Sequence, residues 1–350
     1  GEGWGEFVMT SVSFLRPFDG PSFAERLTAT DNRPSGFDYL RLVLSLGVIA
    51  WHAHWLCYGV DPEKGSWADL ILTPLAWSIV PLFFALSGFL VAGSMERAKT
   101  LVGFMGLRAF RIVPALSVEV LLSALILGPI FTALPLAEYY SHREFYIYFL
   151  NIIGEIHYYL PGVFKDNPVT KVNGQLWTIP YELVCYVAIA AFAVSGIFFR
   201  KHLLLVILGV CYLLQLANQL HVFSDQAVDA SRYAVVIAFI AGLVIFRYRT
   251  AIKWSVGLFC LSAIVSFVLL SIPHGIDFSG LPVAYVASYL GLLNPAKKTW
   301  LLKGDYSYGL YLYGYPIQQA LVAAVPLATA WYWNLALAVP AALAAAGPSR

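Results

Sequence analysis

The chain of 350 residues is 59% hydrophobic and only 12% charged, against about 25% charged in a typical soluble domain, so its charges cannot cover a water-facing surface. A formal net charge of +2, with the basic residues dispersed among short loops, offers no electrostatic footprint for nucleic acid, and no nucleic-acid partner is expected. Cys57, Cys185, Cys211 and Cys260 show no CxxC spacing and sit in or beside apolar blocks, which argues against a disulfide framework or a zinc site; no metal is expected.

Residues 1–36, ending in Asp31-Asn32-Arg33-Pro34-Ser35-Gly36, contain no apolar run after a basic start and are expected to form a cytoplasmic N-terminal segment rather than a cleavable signal. From Phe37 the apolar blocks read as 37–57, 74–94, 112–134, 177–197, 203–221, 232–247, 255–272, 280–293, 306–323 and 331–347. Blocks of about 15–22 residues, at roughly 1.5 Å per residue, suit a hydrocarbon core of about 30 Å. Lipid-exposed backbone must bond within its own segment, so these blocks predict helices. The expected fold is an all-α, polytopic membrane helix bundle, with residues 37–347 as one membrane domain.

An aromatic stretch at 144–160 is ambiguous, and loop charge arbitrates, because short cytoplasmic loops collect Lys and Arg. If it does not cross, Arg97/Lys99/Arg108/Arg111, Arg200/Lys201, Arg247/Arg249/Lys253 and Lys297/Lys298/Lys303 all fall on the side of Arg33. Asp61, Glu63, Asp69, Asp225, Asp229 and Asp277 then fall on the other. This alternation predicts about ten transmembrane helices with both ends in the cytoplasm (N-in/C-in), 144–160 as a re-entrant or interfacial element, and a long external segment over about 135–176. No inverted repeat of the transporter kind is visible.

In the first block Arg41 and His52 are eleven residues apart, three helical turns plus roughly 20°, which places both on one face about 16 Å apart along the axis. Such a stripe can lead from an anionic ligand to a reacting group; it is also compatible with a snorkelling anchor and a packed histidine. His54 points about 200° away. In the second block, Pro81-Leu82-Phe83-Phe84-Ala85-Leu86-Ser87-Gly88 offers small residues for close helix approach. Arg108 and Arg111 share a helical face just before the third block, where they can clamp phosphate, although the positive-inside rule alone also places arginines there. Glu182, in Leu176-Trp177-Thr178-Ile179-Pro180-Tyr181-Glu182, enters an apolar run. A carboxylate at a helix centre there costs about 2.5–3.5 kcal/mol and needs a compensating partner; the alternative is an interfacial cap, with Pro180 early in the helix. No GxSxG elbow, HExxH or P-loop occurs.

Taken together, Arg41 with ten residues before His52, then PLFFALSGFL, RAFRIVP, LWTIPYE and Tyr306-Ser307-Tyr308-Gly309-Leu310-Tyr311-Leu312-Tyr313 resemble, in order, the integral-membrane acyltransferase-3 family of bacterial carbohydrate O-acyltransferases. The resemblance spans roughly 37–347. Two departures stand out: Pro81-Leu82 where many members carry an aspartate before the FF pair, and Gly314-Tyr315-Pro316 where many carry a histidine after the YLY run. The second places more weight on His52. Because the chain ends at Arg350, any transfer is expected to be completed within the membrane domain, without the hydrolase-like domain that some members carry.

The resemblance implies a multi-pass protein of the bacterial inner (cytoplasmic) membrane, in contact with membrane lipids. It implies transfer of an acyl group, most often acetyl, from acyl-CoA as co-substrate, with no bound cofactor, to a hydroxyl of a carbohydrate or lipid-linked glycan. Within it, His52 is expected to act as general base or nucleophile and Glu182 to orient its imidazole. Arg41, Arg108 and Arg111 are expected to hold the phosphates of acetyl-CoA. Trp177, Tyr181 and Tyr158 are candidates to stack on the acceptor sugar, although aromatics also belt membrane proteins. The competing expectation is a transporter or flippase with His52 and Glu182 in a proton or substrate path, which moves its acceptor without covalent change.

Overall fold

In the computed structural model of the protein, residues 17–222, 231–297 and 306–346 are described. Asp225, Asp229, Lys298 and Lys303 lie outside them. The chain is helical, and among the described residues β structure is limited to the isolated bridges Ser22–Lys253 and Thr132–Val163. A short α1 (Phe23–Thr28) opens with a capping box between Ser22 and Glu25. It is followed by α2 (Gly36–Tyr58), α3 (Trp67–Arg97) and α4 (Leu101–Leu122). A π-helical turn, Ser123–Leu127, carries α4 into α5 (Gly128–Phe131).

The long α3 and α4 begin well before the apolar blocks read from the sequence. Their starts are set by caps and not by hydropathy: the Ser66 side chain accepts from the Asp69 amide and the Thr100 side chain from the Gly103 amide. Arg108 and Arg111 therefore lie within α4, two to three turns from its start, instead of in a loop before a span.

Residues 132–173 contain only the short α6 (Leu136–Ser141), α7 (Arg143–Tyr148) and a 3-10 turn, and 144–160 forms no continuous helix. Six helical residues reach only about 9 Å. The segment is instead folded over one end of the bundle, where Gln319 Nε2 donates to the carbonyls of Val169 (2.7 Å) and Lys171 (2.6 Å). A 3-10 turn, Gly174–Thr178, then leads into α8 (Ile179–Val194). The remaining helices are α9 (Lys201–Gln219), α10 (Ala234–Arg247), α11 (Val256–Ser271), α12 (Gly280–Gly291), α13 (Ser307–Ala324) and α14 (Trp331–Ala346).

Five helical stretches, Gly36–Tyr58, Trp67–Arg97, Leu101–Phe131, Gly174–Val194 and Lys201–Gln219, are long and apolar enough to cross a membrane. Together with the shorter apolar α10, α11 and α14, they make this a multi-pass membrane helix bundle. At 14 residues α10 extends only about 21 Å. It does not have to face lipid, because from Ala234 to Phe246 every residue but Val236 is buried. Its partner is α3, and the two backbones touch. A Cβ on Gly88 would lie 2.1 Å from the Phe239 carbonyl oxygen, and one on Gly242 would lie 2.1 Å from that of Ala85. The small residues of the PLFFALSGFL stretch thus serve close packing.

The loops gather at two ends. At one, Glu96 pairs with Arg247 (3.2 Å) and Arg249 (2.9 Å), Arg247 also donates to the Phe199 carbonyl, and the segment around α1 binds residues 252–254 and 292. At the other, Cys57 Sγ donates to the Ala328 carbonyl and Gln219 Nε2 to Asp277. The basic loops at Arg97, Arg200, Arg247 and Lys253 accordingly share the end that carries Arg33.

Candidate active site

Two adjoining cavities lie where α2, α3, α8 and α13 meet. The first, of about 90 Å3, is lined by Arg41, Ser87, Arg111, Thr178, Glu182 and Ser307, with an apolar wall from α3 that includes Val80 and Phe83. The second, of about 50 Å3, is lined by His52, Trp51, Gln175 and Trp177 together with apolar residues of α2 and α3. Val80 and Tyr311 line both and form the partition. Each is roomy enough to admit small groups.

The Arg41–His52 stripe is carried by the uninterrupted α2 and connects the two cavities. Arg41, 3.9 Å from Asp38, serves the first, and His52 serves the second. The edge of His52 meets the Tyr315 ring at 5.0 Å, and its buried Nδ1 has no hydrogen-bond partner among the described residues. The chain thus has a tyrosine packed on His52 within the Gly314-Tyr315-Pro316 run.

Glu182 is not placed beside His52. It faces the first cavity with Arg41 and Arg111, and its carboxylate accepts a 2.6 Å hydrogen bond from the Tyr186 hydroxyl one turn on. The expected orientation of the imidazole by Glu182 is therefore absent from this geometry. The reason is helix adjacency: α8 packs on α3, α4 and α10, whereas α2 packs on α3, α12, α13 and α14.

The arginines are gathered in part. Arg111 lines the first cavity with Arg41, while Arg108 donates to Ser94 Oγ (3.0 Å) and lies over the Phe104 ring, within electrostatic reach of Tyr186 and Glu182. Of the aromatic candidates, Trp177 lines the His52 cavity. Tyr181 packs between Trp177 and Tyr233, with ring centroids 5.9 Å from each, and Tyr158 lies under the Lys171 ammonium at 4.9 Å. Neither Tyr181 nor Tyr158 lines these two cavities.

Residues 35–347 match the family model described as an acyltransferase domain, that of acyltransferase family 3. The chain belongs to the acyltransferase-3 family. This acyltransferase is 28% identical over 304 residues to an O-acetyl transferase of Shigella phage Sf6, covering 82% of this chain and 85% of that protein. It is also 32% identical over 162 residues to nodulation protein 10 of Rhizobium leguminosarum bv. viciae, covering 44% of this chain and 43% of the other. No solved structure matches it. The family match and the phage relative make the protein a membrane O-acyltransferase.

Two polar residues of this acyltransferase were passed over in the sequence. Glu119, 1% exposed in α4, accepts on Oε1 from Ser123 Oγ (2.8 Å) and Asn173 Nδ2 (2.9 Å), while its Oε2 has no partner among the described residues. It stands just before the π-helical turn, where helix geometry departs from the regular form. The expense of an acid inside an apolar block, which singled out Glu182, applies equally to it. Gln175, 2% exposed, carries no charge, so no such rule singles it out.

Proposed function

We propose that this acyltransferase moves an acyl group, acetyl in the first instance, from acyl-CoA to a hydroxyl of a carbohydrate such as a surface polysaccharide or its lipid-linked precursor. The observation that carries this is the partitioned pair of cavities, with Arg41 and Arg111 on one side of Val80 and Tyr311 and His52 on the other. The likeness to a phage O-acetyl transferase supports acetyl as the group, and the bacterial and phage origin of the relatives supports the inner membrane as the location. About ten crossings, with both ends and the basic loops in the cytoplasm, put the arginine side toward the coenzyme and the His52 side toward the acceptor.

In this scheme Arg41, Arg111 and the neighbouring Arg108 hold the phosphates of the coenzyme at the first cavity, and the acyl end passes Val80 and Tyr311 to reach His52 in the second. Glu182, held by Tyr186, balances the charge of the arginines. His52 takes the proton of the acceptor hydroxyl as its oxygen attacks the thioester carbonyl, and returns that proton to the departing thiolate. Trp177 offers a flat face to the sugar at the His52 cavity. The domain extends over 37–347, behind a cytoplasmic segment of residues 1–36.

The test is mass spectrometry of surface and secreted glycans from a strain lacking the protein, complemented with wild type or His52→Ala at matched membrane abundance. An ester that wild type restores and His52→Ala does not is the expected result. Unchanged acylation in all strains refutes the proposal.

A further inference from the structure

We propose that the Gln175 carboxamide is the oxyanion donor of this site, its Nε2 hydrogens binding the acyl carbonyl oxygen as negative charge develops on it; this rests on the acyl-transfer function proposed above. Gln175 is 2% exposed and shares the small cavity with His52, and neither its Nε2 nor its Oε1 has a hydrogen-bond partner among the described residues. Leaving a buried amide group unpaired is destabilising, and an apolar side chain of the same shape avoids that penalty.

The segment that carries Gln175 is held firmly on every other count. Asn173 Nδ2 donates to Glu119 Oε1 (2.9 Å) and to the Leu312 carbonyl (3.1 Å). A Cβ on Gly174 would fall 2.7 Å from the Tyr315 hydroxyl, so the Tyr315 ring lies directly against the backbone. The Gln175 carbonyl accepts from the Tyr311 hydroxyl (2.9 Å), which is itself 2.6 Å from Thr178 Oγ1. A backbone so constrained, presenting one uncommitted amide beside an imidazole, meets the requirement for electrostatic preorganisation: donors fixed before charge appears. The Tyr311 hydroxyl, which also lines this cavity, is already committed to the Gln175 carbonyl and Thr178.

The acceptor oxygen forms a bond to the thioester carbon while its proton passes to His52, and the carbonyl π pair moves onto oxygen, where Gln175 Nε2–H donates to it. Collapse re-forms the carbonyl and breaks the carbon–sulfur bond, and the thiolate takes the proton from His52.

The experiment uses the full chain in membranes, with acetyl-CoA as donor and glycan extracted from the strain lacking the protein as acceptor. Gln175→Met is isosteric and removes both unpaired atoms, so it is expected to melt at or above the wild-type temperature and to bind acetyl-CoA within about threefold. Its transfer rate is expected to fall about 10²- to 10³-fold, the loss typical of one oxyanion donor. Gln175→Glu, which places oxygens where the donor was, is expected to fall at least as far. A Met variant that transfers at near wild-type rate, or one that melts lower, overturns the assignment, the latter by showing a packing role. If wild type transfers no acetyl, or His52→Ala transfers as well as wild type, the acyl-transfer scheme itself fails, and the two failures are thereby told apart.

Discussion

Glu119 joins α4 to the segment that carries Gln175, and its removal has a magnitude that follows from its bonds. Glu119→Ala deletes the acceptor of two hydrogen bonds, from Ser123 Oγ and Asn173 Nδ2. Ser123 lies one turn on, and its hydroxyl can swing to the carbonyl of residue 119, so its share is small. Asn173 keeps the Leu312 carbonyl but loses its second acceptor, and a buried donor without a partner costs about 1–3 kcal/mol. The truncated side chain adds a cavity term, offset in part because the unpaired Glu119 Oε2 is removed with it. A net loss of about 2 kcal/mol, about 30-fold in the folding equilibrium, corresponds to a melting temperature lower by about 3 °C. Glu119→Gln keeps an oxygen where Asn173 and Ser123 donate and is expected to retain most of both stability and transfer. Thermal melting of purified protein in detergent, paired with acetyl transfer in membranes, measures the two quantities. A Gln variant as inactive as the Ala variant, with its melting temperature intact, would refute the positioning argument and assign the work to the acidic proton.

Arg111→Ala, and separately Arg41→Ala, are expected to raise KM for acetyl-CoA by about 10- to 100-fold, the equivalent of one charged hydrogen bond, with a smaller change in kcat; steady-state kinetics that leave KM unchanged would remove these residues from the donor site. At the Ser22–Glu25 capping box, hydrogen bonds from the Ser22 backbone and hydroxyl hold the Glu25 carboxyl below its usual range. A lowered folded-state pKa means that its stabilising contribution is present above the unfolded pKa and is lost as pH falls through the folded one, so amide protection factors at 23–28, taken relative to the intrinsic exchange rate at each pH, should fall in acid and Ser22→Ala should lower them near neutrality.

The helices were legible because lipid imposes a length and a composition on whatever crosses it, and each apolar block carries a helix. Their starts were less so: α3 and α4 run on to Ser66 and Thr100, caps whose effect depends on backbone geometry. The short elements of 132–173 follow from contacts distant in sequence, such as that of Gln319 with Val169 and Lys171. Arg41 and His52 could be placed on one face because a single helix fixes their spacing. The relation of His52 to Glu182 could not, since it depends on which helices are neighbours, and α3 lies between them. Glu119 was open to the same reasoning as Glu182, whereas Gln175 is distinguished only by what its carboxamide fails to touch.

The glycine contacts between α3 and α10 have a consequence for the choice of substrate. With the Phe239 and Ala85 carbonyls lying directly on Gly88 and Gly242, there is no side chain between the two backbones whose rotation could let them slide. The helices are thus constrained to travel together as one unit. The wall formed by Val80, Phe83 and Ser87 shares the cavity with Phe239, whose carbonyl lies against Gly88 of the same helix. A longer acyl chain entering the chamber finds a ruler instead of a hinge: each added methylene must be accommodated by turning side chains within a fixed frame.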